Sequence, residues 1–232
     1  LLINSTCIID APFDLHKGQY ETILDIQRDI RALTLSVSQL AAVQSHLSCH
    51  RGVTISEIKT FNHIRTAVEY HLLTMNITAK LIMNWNDQTY CSLYESCRLA
   101  LLIGINCIFR EFHRSNSAVM LSLGLRLSQS LKAIGEVEEK YLLAQDREML
   151  LWISFIGGMM AFPSAHMRWF TERIVRLMTA LTLKSWKEVE TALSRYFWPR
   201  KLRNKQCITL WQDIERLKAE KKVDCSRSGN QM

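Results

Sequence analysis

From Ile23 onward, apolar residues recur every three or four positions. Ile23, Ile26, Ile30, Leu33, Val37 and Leu40 share one stripe, and Asp25, Arg28, Asp29 and Arg31 fall largely off it, as in an amphipathic helix. Residues 48–52 interrupt the pattern. Thr54, Ile55, Ser56 and Glu57 form a capping box, in which hydroxyl and carboxylate satisfy each other's free backbone N–H groups at a helix start. Ile58, Phe61, Ile64, Val68, Leu72, Met75 and Ile82 carry the stripe to about Trp85. Residues 84–88 read as a turn. Leu93, Cys97, Leu101, Gly104 and Ile108 then mark a helix whose residues 99–109 lack charge, so it is expected to be buried on most sides.

Residues 113–116 end that helix, and an amphipathic segment through Leu121 and Leu131 stops near Gly135, a residue suited to a helix C-terminus. Residues 141–160 predict another helix. Met167, Phe170, Ile174, Leu177, Met178 and Leu181 predict one more after Pro163. Ser185, Trp186, Lys187 and Glu188 are a second capping box, and Trp186, Val189, Leu193 and Phe197 are the apolar face behind it. Pro199 ends that helix, and the last runs from about Ile208 to Ala219. No segment alternates with a period of two, and no internal repeat stands out. The expectation is one all-α domain of about eight helices without a sheet: an irregular lead-in over residues 1–18, the helical domain over 19–222, and a disordered tail over 223–232.

Composition agrees. Only 3 Pro and 8 Gly occur in 232 residues, too few for the turns of an all-β fold or for a Gly-rich phosphate loop. Residues 149–167 carry no charge, but their strongly apolar part, 149–162, is fourteen residues, short of the ~20 that a membrane span needs, and it reads as a core helix. The net charge of +7 lies entirely in the second half: residues 1–116 hold 10 basic and 10 acidic side chains, residues 117–232 hold 19 and 12. Seven scattered cysteines, an odd number, show no disulfide framework and point to a reducing compartment. Two Asn-x-Ser/Thr sequons, at Asn4 and Asn76, are of a kind common by chance. The chain opens on Leu1 rather than Met, which suggests a fragment.

Candidate chemistry is sparse. Structural zinc needs ligands paired at close spacing, and the chain has no C-x2-C. No G-x-S-x-G elbow occurs, and Ser164 near His166 has no strand-to-helix context. A terpene-cyclase-like enzyme would need oxygen ligands bridging magnesium on one helical face. Asp25 and Asp29 lie one turn apart, and Asn86, Asp87, Ser92 and Glu95 superficially suggest the second ligand set, but Asn86 and Ser92 are six apart instead of four. Arg200, Lys201, Arg203 and Lys205 put four cations into six residues, a candidate nucleic-acid or import-signal patch as well as an ordinary solvated loop. No catalytic, cofactor-binding or metal-ligating residue is assigned.

Residues 94–102, with Tyr94, Glu95, Cys97, Arg98, Leu99 and Ala100, resemble the E-x-C-R-L-A-x-L helix of the regulatory region of fungal-specific transcription factors. Residues 150–158, with Leu150, Leu151, Trp152, Phe155, Gly157 and Gly158, resemble that family's L-L-W-x-x-F-x-G-G helix. Trp169 and Phe170, then Leu183 to Trp186, Glu188 and Val189, then Phe197 and Trp198, are similar to its closing pattern, and Leu210 and Trp211 fall where it often places a Leu-Trp pair. The resemblance covers about residues 20–215. It implies a non-catalytic helical regulatory domain, C-terminal to a binuclear zinc cluster that reads DNA. It also implies a nuclear location and a role in RNA polymerase II transcription, through intramolecular contacts, homodimer contacts, the transcription machinery or co-regulators, or an effector in the helical core. The six-cysteine pattern of the cluster is absent here, so zinc and DNA contacts are expected only from a module upstream of Leu1, and no membrane contact is expected. The alternative is a helical small-molecule-binding protein or terpene-cyclase-like enzyme. Within the resemblance Arg98 stands out: a cation beside an apolar run needs a partner, and Glu95, one turn before it, is in register to supply one.

Overall fold

The computed structural model describes residues 23–49, 54–75, 85–109, 118–135, 139–140, 142–161, 166–198, 202 and 205–228. Among them are eight α-helices and no strand, the all-α single domain that the periodicity predicts. The helices are α1 (Ile23–Cys49), α2 (Ile55–Thr74), α3 (Trp85–Phe109), α4 (Ala118–Lys132), α5 (Ala144–Met160), α6 (His166–Ala180), α7 (Trp186–Leu193) and α8 (Lys205–Ser228). The lead-in over 1–18 and residues 229–232 of the predicted tail lie outside the described residues.

Both capping boxes form. The Thr54 hydroxyl accepts from the Glu57 N–H at 3.2 Å, and the Glu57 carboxylate accepts from the Thr54 N–H at 2.8 Å. Ser185 and Glu188 repeat the exchange at the start of α7. Several boundaries differ from the pattern. Helix α2 ends at Thr74, because Met75 turns to extended backbone (φ −64, ψ 115) while its side chain stays in the core. Residues 85–88, read as a turn, are instead the first turn of α3: Asn and Asp favour helix starts as much as turns. Helix α5 begins at Ala144, with Leu143 as an extended N-cap. Helix α8 starts at Lys205 and continues to Ser228, into the tail predicted to be disordered; charges three and four apart, such as Lys218 with Glu215, support it around Leu217, the last buried residue among the described side chains.

Helices α3 and α5 form the centre. Residues 99–105 of α3 and 149–159 of α5 are buried throughout, and α5 packs against α3, α4, α6, α7 and α8. Such closeness requires missing side chains. A Cβ on Gly104 would stand 2.7 Å from Cε1 of Phe197, and one on Gly157 would enter the ring of Phe170. At the centre of α5 Trp152 is fully buried, its indole Nε1 donates to the Phe197 carbonyl at 2.9 Å, and its ring stacks on Tyr196 at 5.7 Å.

Arg173, only 1% exposed, crosses from α6 to the end of α4. Its Nη1 donates to the Leu131 carbonyl at 2.6 Å, its Nη2 lies 2.6 Å from the Glu139 carboxylate, and its guanidinium covers the Trp169 ring. Helix α6 ends in a Schellman turn: the Leu183 N–H donates to the Met178 carbonyl and the Thr182 N–H to the Thr179 carbonyl. Thr182 takes φ 57 there, a conformation that a β-branched side chain resists.

Two stability outcomes follow. Trp152→Ala is expected to cost about 3–5 kcal/mol in denaturant unfolding, the range of buried aromatics; a change within ~0.5 kcal/mol, as at surface sites, would take Trp152 out of the core. Thr182→Gly is expected to stabilise by roughly 1 kcal/mol, by relieving the left-handed strain, and an unchanged or lower melting temperature would contradict it.

Candidate functional site

Of the four clustered cations, Arg200, Lys201 and Arg203 lie outside the described residues. Lys205 is the exposed first residue of α8. A basic patch therefore has one described member.

The residues of the family resemblance come together in a different way. Phe155 of α5 meets Trp198 edge-on at 6.1 Å and Trp186 of α7 at 6.2 Å, and Trp186 meets Trp211 of α8 at 5.1 Å. Four segments spread over about sixty residues of sequence thus share one continuous aromatic row. Trp169 and Phe170 of α6 meet edge-on at 4.8 Å, with the Phe170 ring on Gly157, and Gly104 of α3, just beyond the 94–102 segment, takes the Phe197 ring. Arg98 finds the partner expected for it: Nε and Nη2 grip the two Glu95 oxygens at 2.7 and 2.6 Å, and Nη1 donates to the Leu72 carbonyl at 2.7 Å, in the last turn of α2. Arg126 approaches the same carboxylate at 3.6 Å. Glu95 is therefore committed to arginines, which removes it from the magnesium-ligand set considered above. Among the described residues no group of three His, Cys, Asp or Glu side chains is placed to hold a metal ion, and no helix is long and apolar enough to cross a membrane.

The cysteine side chains that the structure describes form no disulfide. Burial pushes Cys97 up to about 12 and Cys107 up to about 11, so neither is a thiolate nucleophile at neutral pH.

A cleft of about 540 Å³, lined by both polar and apolar side chains, opens between α1, α3, α5 and the turn behind α7. Asp146, in the first turn of α5, and Tyr94, on α3, line it although they are 3% and 1% exposed. Arg31 and Glu148 stand nearer the mouth. Arg31 donates to the Gln145 side chain at 3.2 Å, and Arg195 grips both Glu148 oxygens at 2.6 and 2.7 Å. The Tyr196 hydroxyl is spent on the Gln145 carbonyl at 2.8 Å. Burial raises the Asp146 carboxyl above its ordinary value, and the Arg31 guanidinium opposes that rise. Tyr94 is raised too, first by burial and then by the nearby Asp146 charge.

None of these cleft residues was assigned from sequence. A signal for Asp146 exists, since stepping back three and seven positions from Met149 and Ile153 of the buried helix lands on residue 146, so the core face of α5 begins with a carboxylate. Arg195 and Tyr196 gave none, because they reach the cleft only through the turn that follows α7.

No protein-family profile, curated protein or solved structure matches this chain.

The raised Asp146 carboxyl has a pH consequence. The native state holds this proton more tightly than the unfolded chain, so the stability tied to Asp146 is greatest in acid and declines as pH rises through its native value. Asp146→Asn escapes the ionisation cost. Its melting temperature is expected to exceed that of the wild type by a margin that grows from acid to neutral pH. A margin that shrinks over the same range would mean that the carboxylate is stabilised in the fold.

Proposed function

We propose that this chain is a non-catalytic regulatory domain of the kind found in fungal-specific transcription factors, acting in the nucleus on RNA polymerase II transcription. The observation that carries the reading is the aromatic row. The segments with the family resemblance, far apart in sequence, supply Phe155, Trp186, Trp198 and Trp211 to one contact path, with Trp152 fastened to the Phe197 carbonyl beside it. Residues that share a packing role are what a family-wide fold signature consists of, whereas a catalytic signature would gather titratable groups around a cleft.

In this reading the domain controls a DNA-reading module that precedes Leu1, where zinc would be held, and it meets co-regulators, the transcription machinery or a second copy through its surface. The surface has apolar material to offer: Ile55, Tyr70 and Leu73 on α2 and Val119, Leu121 and Leu125 on α4 are exposed. The enzyme alternative is weaker, because the one acidic group of its second ligand set that the structure describes, Glu95, is held by arginines.

The test is a tethering assay. The chain, fused to an unrelated DNA-binding module in yeast, is expected to raise or lower a reporter several-fold relative to the module alone. It is also expected to lose that effect in Trp152→Ala. Reporter output equal to that of the module alone, at matched protein level and nuclear location, would overturn the regulatory reading.

A further inference from the structure

The cleft between α1, α3 and α5 has a chemistry of its own, which the aromatic row does not use. Its floor carries a carboxylate and a phenol: Asp146 and Tyr94 line the cleft although they are only 3% and 1% exposed. Burial of a carboxylate is costly unless a partner group compensates it. The other polar groups of the cleft are occupied: Thr34 and Ser38 donate to carbonyls of their own helix at 2.7 and 2.9 Å, Tyr196 to Gln145, and Arg195 to Glu148.

Charge is also ordered by depth. The negative group, Asp146, lies at the floor, and the available cation, Arg31, lies exposed at the mouth with a single side-chain hydrogen bond. Ile30, Leu35 and Met149 add apolar wall. A volume of about 540 Å³ is in the range of small-molecule sites. A plain amine would satisfy the floor but face Arg31, and a plain carboxylate would satisfy Arg31 but face Asp146. A molecule with both groups satisfies both ends and leaves an apolar part for the wall.

We propose that this cleft binds a small zwitterion of the amino-acid type, its ammonium group held by Asp146 and the Tyr94 hydroxyl and its carboxylate met by Arg31. This ligand site goes beyond the regulatory reading and stands without it, because it rests on the cleft alone.

The experiment uses the full chain and calorimetric titration with each of the twenty standard L-amino acids at up to millimolar concentration. The tightest is then compared with its decarboxylated amine and its deaminated acid. At least one amino acid is expected to bind, with both half-ligands weaker by about tenfold or more. Asp146→Asn and Arg31→Gln should each weaken binding by a similar factor. Arg31 is exposed, so Arg31→Gln tests the carboxylate end of the ligand independently of Asp146→Asn. Absence of binding by all twenty would overturn the proposal. So would an amine or acid that binds as tightly as the zwitterion, or full affinity in folded Arg31→Gln. The tethering assay needs no ligand, so failure here and failure of the regulatory reading are separately visible.

Discussion

The bond from the Trp152 indole to the Phe197 carbonyl is the constraint on which the rest of the structure depends. It fastens the central helix to the turn behind α7, where the chain leaves helical geometry and its carbonyls need partners. With that turn fixed, Phe197 lies on Gly104 of α3, Tyr196 stacks on Trp152, and Trp198 meets Phe155. One polar contact inside an apolar centre thereby sets the rotamers of three neighbouring aromatic side chains. Apolar burial supplies most of the driving force of such a core but has no direction; the hydrogen bond does.

Two buried arginines extend the same logic to the periphery. Arg98 brings a guanidinium from α3 to the last turn of α2, and Arg173 brings one from α6 to the end of α4. A helix C-terminus carries carbonyls without intrahelical donors and a partial negative charge, and here a neighbouring helix supplies the cation. Each arginine is balanced by a carboxylate, Glu95 or Glu139. Pairs of this kind add little net stability over an apolar substitute, but loss of one member strands the other. Their contribution is to relative position: α2 is held at α3, and α4 at α6, by bonds that a slipped register would break.

Much of this was legible in the chain. Helix number and order follow from three-and-four spacing, both capping boxes from four-residue strings, and the Glu95–Arg98 pair from a cation one turn away from a carboxylate in an apolar run. The limits have physical causes. Arg173 sits three residues after Phe170 and four before Leu177, so its helical phase puts it on the core face. Its partner, however, is a glutamate more than thirty positions away, and sequence spacing cannot select among several. Phe197 continues the stripe of α7 on paper, but Ser194 caps that helix by donating to the Glu190 carbonyl at 2.6 Å, and the ring reaches the core from a turn. The aromatic row was visible as residues, and its continuity was not. The cleft was hidden because its members come from four separate elements and no two of them form a motif.

The adjacent glycines of α5 touch two different neighbours, Phe170 under Gly157 and Leu210 under Gly158. Two flat spots side by side on a cylinder leave it a single angular setting, as a keyway does for a shaft. Asp146 lies eleven residues before Gly157, about three helical turns, and so shares its azimuth at a distance of ~16 Å along the axis. The direction in which that carboxylate points is therefore indexed at the far end of the helix, by the absence of two methyl groups.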